Sequence, residues 1–358
     1  MNQRPFVIIT TRLPPDSCGI GNYSSRLRQH WPGKGRPVEF LVIDGADAAS
    51  PPVSSDRVRE FNGNARQLSA ALQRIGEADV LLHYAGRAYH RFGCPMWLPR
   101  VMADWRRSCP SGRLMVFFHE LPGSAPLMSR HFWLDLANAR IVAQLASVAD
   151  AVATNTDHHT ATLRRISGRA DIQLVPVGSN IESDGTETPE RVATEFVLFG
   201  LPFGRLQTLR LFDEHLQKWI ATGRLTRLHI IGPVDGRFAA EGDDLISRWQ
   251  HPEVAERHGM LASAEVARLL RGAEFALTNV TTETWSKSSA FMACAAIGCS
   301  VVVTSRPAEI VPLTYATAAD EVETISRGEL NERRSALAAW YRENADWPVI
   351  AHRLAAVW

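Results

Sequence analysis

The stretch Phe275-Ala-Leu-Thr-Asn-Val-Thr-Thr-Glu283-Thr-Trp-Ser-Lys287-Ser-Ser-Ala290-Phe-Met-Ala-Cys-Ala-Ala-Ile-Gly298-Cys-Ser-Val301-Val-Val-Thr304 decides the fold. An apolar run, Phe275–Thr278, gives way to a polar loop. A helix-length segment of small residues follows, ends at Gly298, and leads into a second apolar run, Val301–Thr304. Runs that are continuously apolar, rather than alternating, suit strands buried on both faces of a parallel sheet. The same unit recurs outward from this point. Further runs lie at Phe6–Thr11, Val38–Ile43, Val80–His83, Leu114–Phe118, Ala151–Thr154, Ile172–Val175, Phe196–Phe199 and Leu228–Ile231. Helix-length stretches such as Ala65–Ile75, Leu134–Ala146, Gln207–Ile220 and Ser263–Arg271 stand between them. Strand–helix alternation throughout predicts an α/β protein with doubly wound parallel sheets.

A chain of 358 residues exceeds one ordinary core and fits two domains of about 150–200 residues each. The segment Asn180–Arg191 is polar, contains Gly and Pro, and has no apolar period, which reads as a linker. The expected organisation is a Rossmann-like domain over 1–180, a linker over 181–193 and a second Rossmann-like domain over 194–335, the two facing one another across a cleft. A helical stretch over 336–358, rich in tryptophan (Trp340, Trp347, Trp358), is expected to pack back on the N-terminal domain.

Composition narrows the function classes. With 45% hydrophobic and 22% charged residues the chain is an ordinary globular one, not a disordered or fibrous one. Its 39 basic and 38 acidic residues leave a net charge of +1, so no global field recruits nucleic acid. The five cysteines are scattered without a C-x-x-C pair, which reads as neither a disulfide framework nor a zinc site. The opening Met1–Thr11 runs straight into a strand without the plan of a signal peptide. Ala290–Val303, the longest small-and-apolar stretch, falls short of the roughly 20 residues of a membrane span. A soluble, cytoplasmic protein is expected, with peripheral membrane or homodimer contact left open.

In open parallel sheets, ligands bind where the carboxyl ends of strands meet helix N-termini. Asp16-Ser-Cys-Gly19-Ile-Gly21-Asn-Tyr23 follows the first strand and leads into a helix over Ser24–His30. Its glycines either let the backbone approach a phosphate or simply make a tight turn. Phe118-His119-Glu120 ends a strand in two polar residues, where His119 either touches a substrate and exchanges a proton or caps the strand. His83-Tyr84 is an analogous, weaker pair. Lys287, one of three lysines with Lys34 and Lys218, is placed in the first turn of a helix beside Ser288 and Ser289. A helix N-terminus disfavours a cation unless an anion offsets it, so a diphosphate there would explain the lysine. Glu283 in the preceding loop is suited to accept ribose hydroxyls. Gly200 and Gly204-Arg205, with Arg210 on the next helix, offer a further phosphate contact or a plain glycine turn.

Taken in order, these segments resemble the GT-B glycosyltransferases, in particular the retaining "glycosyl transferases group 1". The resemblance is carried by Gly19-Ile-Gly21-Asn-Tyr23, Phe118-His119-Glu120, Ala149–Thr154, Leu174-Val-Pro-Val-Gly178-Ser-Asn180, Leu228–Gly232, His258-Gly259, the Glu283 segment and Ala293–Gly298. It implies transfer of a sugar from a nucleoside diphosphate sugar, UDP or GDP, to a hydroxyl acceptor on a glycan, lipid-linked or natural-product substrate, with retention and without a cofactor or obligatory metal. It places the donor on the C-terminal domain and the acceptor on the N-terminal one. Under it His119 and Glu283 are catalytic. Gly19, Gly21, Gly200, Arg205, Arg210, Lys287, Ser288 and Ser289 bind the donor diphosphate, and His83, Tyr84 and Glu120 face the acceptor. The chain departs from the family where Ala290 occupies the place of a second glutamate. A non-catalytic partner of the same fold is therefore one alternative, and a nucleotide-sugar epimerase, which shares the fold, is another.

Overall fold

All ten expected apolar runs form strands in the computed structural model, which describes residues 4–14, 18–33, 36–44, 51–123, 130–182 and 189–357. Lys34, residues 15–17 before the first helix, residues 183–188 of the expected linker and Trp358 lie outside the described residues.

The first part of the chain runs β1 (Phe6–Thr10), α1 (Gly19–His30), β2 (Val38–Val42), β3 (Arg57–Glu60), α2 (Ala65–Ile75), β4 (Asp79–Tyr84), α3 (Gly86–Tyr89), α4 (Leu98–Ser108), β5 (Arg113–Phe118), α5 (Arg130–Val148), β6 (Ala151–Thr154), α6 (Asp157–Ser167) and β7 (Ile172–Leu174). Its seven strands form one parallel sheet in the order β3-β2-β1-β4-β5-β6-β7. The second part runs β8 (Val192–Phe199), α7 (Pro202–Ala221), β9 (Arg227–Ile231), α8 (Gly236–Ile246), β10 (Ala255–Gly259), α9 (Ser263–Gly272), β11 (Ala273–Leu277), α10 (Ser289–Ile297), β12 (Ser300–Val303), β13 (Thr317–Ala318) and α11 (Arg327–Asn344). These strands form a six-stranded parallel sheet ordered β10-β9-β8-β11-β12-β13. A last helix, α12 (Trp347–Ala356), belongs to the first unit, so the units are 1–176 with 347–358, and 177–346.

The three unanticipated strands, β3, β10 and β13, all stand at sheet edges. An edge strand has solvent on one side, so Arg57-Val-Arg-Glu60 and Ala255-Glu-Arg-His-Gly259 carry no apolar run to read. The expected single helix over 336–358 is two helices, broken at Ala345–Asp346. Pro348 supplies the reason: it has no N–H for the Asn344 carbonyl, and is tolerated only in the first turn of a new helix.

Each sheet has its own core. In the first unit Val7, Ile9, Leu82, Val116 and Phe118 pack against Leu68, Leu72, Met102, Trp105, Ile141 and Leu145 from the helices. In the second, Phe196, Leu198, Leu228, Ile230, Phe275 and Leu277 pack against Leu209, Phe212, Leu216 and Trp219. Each such buried side chain contributes about 1.5–3 kcal/mol, which makes the strand ends rigid platforms for the loops that follow.

Candidate functional site

Strand order reverses between β1 and β4 in the first sheet, and between β8 and β11 in the second. In such sheets a crevice opens at that switch point, beyond the carboxyl ends of the strands. Most of the candidate residues follow these four strands or β5.

In the second unit, Gly200 follows β8 and Ala290 lies in the first turn of α10. A Cβ placed on Gly200 would sit 3.7 Å from the Ala290 Cβ, so these two loops meet. Ser288 caps α10 by accepting from the Phe291 amide at 3.2 Å. The amides of Ser289 and Ala290, at the helix start, have no intrahelical acceptor. Lys287 lies in a single 3-10 turn, Trp285–Lys287, one residue before the cap, and not inside the first turn of α10. Its side chain is exposed and makes no ion pair among the described residues, whereas Lys218 is paired with Glu323. Thr281 and Thr284 lock a turn through a hydrogen bond from the Thr281 amide to Thr284 Oγ1 at 2.9 Å, and Glu283 sits exposed at its tip.

The two arginines behave differently from the phosphate contact expected of them. Arg205 donates to the carbonyls of Gly200 (2.9 Å), Ile231 (3.0 Å) and Pro233 (2.7 Å). Its guanidinium clamps the ends of β8 and β9, and burial lowers its pKa. Gly232 makes room for it, since a Cβ there would lie 2.1 Å from Arg205 Nη1. Arg210 is turned away, in an exposed ion pair with Glu241 of α8 at 2.6 Å.

In the first unit, α1 begins at Gly19 and not at Ser24, so both glycines of Gly19-Ile-Gly21 are helical. They are not equivalent. A Cβ on Gly21 would lie 1.4 Å from the Arg12 carbonyl oxygen, so close backbone packing alone requires that glycine. A Cβ on Gly19 would meet nothing within 4 Å, which leaves the start of α1 open.

His83, near the end of β4, and His119, just after β5, are joined by a hydrogen bond of 2.9 Å between His83 Nδ1 and His119 Nε2. The Tyr23 ring of α1 lies against His83 (5.6 Å), His119 (5.3 Å), Phe117 (5.2 Å) and Trp347 of α12 (5.0 Å between ring centres). His83 Nε2 and Tyr23 Oη are buried without a hydrogen-bond partner among the described residues. Burial drives the Tyr23 hydroxyl above the usual tyrosine range and both imidazoles below the usual histidine range, with His119 held at about 3. His119 is therefore a neutral hydrogen-bonding group at neutral pH in the free protein.

The unfolded chain keeps a histidine near about 6.5. Below that value the unfolded state binds a proton that folded His119 refuses until pH reaches about 3, so stability falls as pH falls through this window. One such histidine costs about 1.4 kcal/mol per pH unit, or roughly 2 kcal/mol between pH 6.5 and 5. Denaturation curves of wild type and His119→Gln over that range should diverge, the variant losing less on acidification. Parallel losses would show that His119 is not held neutral.

Alternate residues of β4 face opposite sides of the sheet, so Tyr84 points away from this pair. Its hydroxyl is bonded to Asn138 at 2.6 Å, and both His83 and Tyr84 are fully buried and present no surface to an acceptor. Glu120 is exposed and lines a polar pocket of about 220 Å³ with Arg87, Asp135 and Asn138.

No protein-family model and no curated protein matches this sequence. Solved structures do match it. Anabaena HepE, solved in complex with UDP and glucose, superposes with a TM-score of 0.69 over 99% of each chain at 12% identity. A glycosyltransferase from Rickettsia africae gives 0.68 over 100% of this chain and 98% of its own, at 10% identity. The N-terminal domain of a Candida albicans trehalose-6-phosphate phosphatase gives 0.67 over 99% and 96%, at 13% identity. The chain has the GT-B fold. Within this GT-B chain, no helix among the described residues is long and apolar enough to cross a membrane.

Sequence reasoning singled out His83 and His119 but missed their contact, and it missed Tyr23 as the ring beneath both. It also missed Arg87, Asp135 and Asn138, which carry no local motif. Among the described residues, only His229, Glu256 and His258 bring metal-ligating atoms together, within 4.8 Å, and they lie outside these loops.

Proposed function

We propose that this protein is a glycosyltransferase that moves a sugar from a nucleoside diphosphate sugar to a hydroxyl acceptor. The observation that carries the reading is the exposed Lys287 beside the open amino end of α10, facing Gly200 at the switch point of the second sheet. Free amides, a positive dipole end and a point charge together suit a diphosphate. The fold shared with HepE, solved with UDP and glucose, supports the same substrate class.

In this reading the acceptor oxygen bonds to the anomeric carbon as the bond to the diphosphate oxygen breaks, and the acceptor's proton is released. Lys287 and the Ser289 and Ala290 amides stabilise the negative charge that develops on the leaving diphosphate. Gly200 keeps the wall beside it flat, and Glu283 accepts hydroxyls of the ribose or sugar. Arg205 and Arg210, already engaged by carbonyls and by Glu241, are left out of the phosphate site. In the first unit, neutral His119 bonds a sugar hydroxyl, the open start of α1 at Gly19 admits further anionic charge, and the pocket at Glu120 takes the acceptor. Retention at the anomeric carbon, UDP or GDP as the carrier and a cytoplasmic setting complete the proposal, on the strength of the sequence resemblance.

Lys287→Ala removes one charge-assisted contact and is expected to weaken nucleoside diphosphate binding by roughly 1.5–3 kcal/mol. Lying outside the first turn of α10, the side chain contributes little to the free protein, so the melting temperature should hardly move. Calorimetric titration of both proteins with UDP and GDP decides. Equal affinities would remove the diphosphate from this loop. Ala290, in place of the family's glutamate, favours the non-catalytic alternative, and that reading predicts binding of the diphosphate without turnover of any donor sugar.

A further inference from the structure

The geometry points to a binding site for a zinc-type divalent ion on the β9–β10 edge of the second sheet, formed by His229, Glu256 and His258. Leu228 and Ile230 belong to the core, so the intervening His229 faces the other side of β9. Glu256 is its register partner on β10. His258, two residues beyond Glu256, shares its face by strand alternation, and the register of β10 shifts beside it, between Arg257 and Gly259. His258 Nε2 comes to 2.9 Å from His229 Nδ1, while the Glu256 carboxylate oxygens stand 3.7 Å from His229 Nδ1 and 3.8 Å from His258 Nε2.

A hydrogen bond between the two imidazoles accounts for the first distance but not for the rest of the arrangement. With tetrahedral zinc–nitrogen bonds of about 2.0–2.1 Å, two nitrogens on one ion stand about 3.3–3.4 Å apart, so the two rings, 2.9 Å apart here, need only part slightly to take the ion between them. Two histidines and one glutamate, with a position left for water, form a donor set that zinc accepts. The other nitrogen of His229, Nε2, lies 3.2 Å from Glu195 Oε2 on β8. A carboxylate behind a ligating histidine is the usual means of orienting the ring and raising its basicity. His229 is buried and Glu256 exposed, so the ion would enter from the solvent side. Arg227 stands 3.5 Å from Glu195 and 3.8 Å from Glu256, and is the cation with which the metal competes. Calcium and magnesium, which take oxygen ligands, are poor fits to two imidazoles. The ion would tie edge strand β10 to β9, and the inference stands apart from sugar transfer because none of these residues follows β8 or β11.

The test uses the full chain, freed of metal by chelator and exchanged into clean buffer. Titration with Zn²⁺ should show one equivalent bound with micromolar or tighter affinity and a higher melting temperature, since an ion that binds only the folded state stabilises it. His258→Ala and Glu256→Gln should each weaken binding on the order of 10-fold or more, and Glu195→Gln by about 10–100-fold with the stoichiometry unchanged. Both first substitutions lie on an edge strand. If one lowers the metal-free melting temperature, the affinity of the other decides. Absence of one-to-one binding, wild-type affinity in both variants, or equal binding of Mg²⁺ would overturn the assignment.

Discussion

Asp56→Ala is expected to destabilise the first unit by about 3–5 kcal/mol, the usual cost of removing one partner from a buried ion pair. Arg28 of α1 and Asp56, just before β3, have no exposed side-chain surface. Arg28 Nε and Nη2 each donate to the carboxylate at 2.8 Å, and Nη2 also donates to the Arg36 carbonyl at 2.8 Å. Asp56 Oδ1 accepts from the Val38 amide at 2.9 Å as well. Taking the carboxylate away strands a buried guanidinium whose Nη1 already lacks a partner, and orphans a β2 amide. The pair fastens α1, which carries Gly19 and Tyr23, to the edge of the sheet, so its loss reaches the candidate site through the helix. At roughly 2–4 °C per kcal/mol for a unit of this size, the melting temperature should fall by roughly 6–20 °C. Joint replacement, Arg28→Met with Asp56→Leu, should recover part of the loss, because no unpaired charge then remains while the Val38 amide and the Arg36 carbonyl still lose their partners. A single variant within about 1 kcal/mol of wild type would mean that water reaches the guanidinium.

The central strands were legible because a parallel sheet is covered on both faces, which forces continuous runs such as Phe6–Thr10 and Ser300–Val303. Edge strands escape that constraint, and with them went Glu256 and the irregularity at His258. Glycine spacing was legible, but its meaning was not. Gly19 and Gly21 look alike in sequence, and only the Arg12 carbonyl beneath Gly21 separates a packing requirement from an open helix start. Likewise the excess of arginine concealed which cations are spoken for. Arg205 is consumed by three carbonyls and Arg210 by Glu241, while the rare Lys287 remains free of ion pairs among the described residues. The bond between His83 and His119 depends on β4 pairing with β5, which brings His83 opposite Phe117. That is a tertiary fact, and no local pattern encodes it.

That same pair sets the largest expected effect on turnover. If His119 bonds a sugar hydroxyl as the diphosphate leaves, His119→Ala should lower kcat on the order of 10²-fold, the scale of losing one positioned transition-state contact. Affinity for the nucleoside diphosphate should change little, since Lys287 and α10 belong to the second unit. His119 Nε2 is spent on His83 Nδ1, so its Nδ1 is the atom left for substrate. His83, fully buried, acts only by holding that ring, and its replacement by glutamine, which still hydrogen-bonds, should cost less than loss of His119. Burial holds His119 at about 3, so the wild-type rate should show no histidine titration between about pH 6 and 8. His119→Gln, compared at matched melting temperature, separates chemistry from folding. Unchanged turnover in both variants would reduce His119 to a strand cap, and a rate profile with a step near about 6.5 that vanishes in the variants would show that it works as a proton carrier instead.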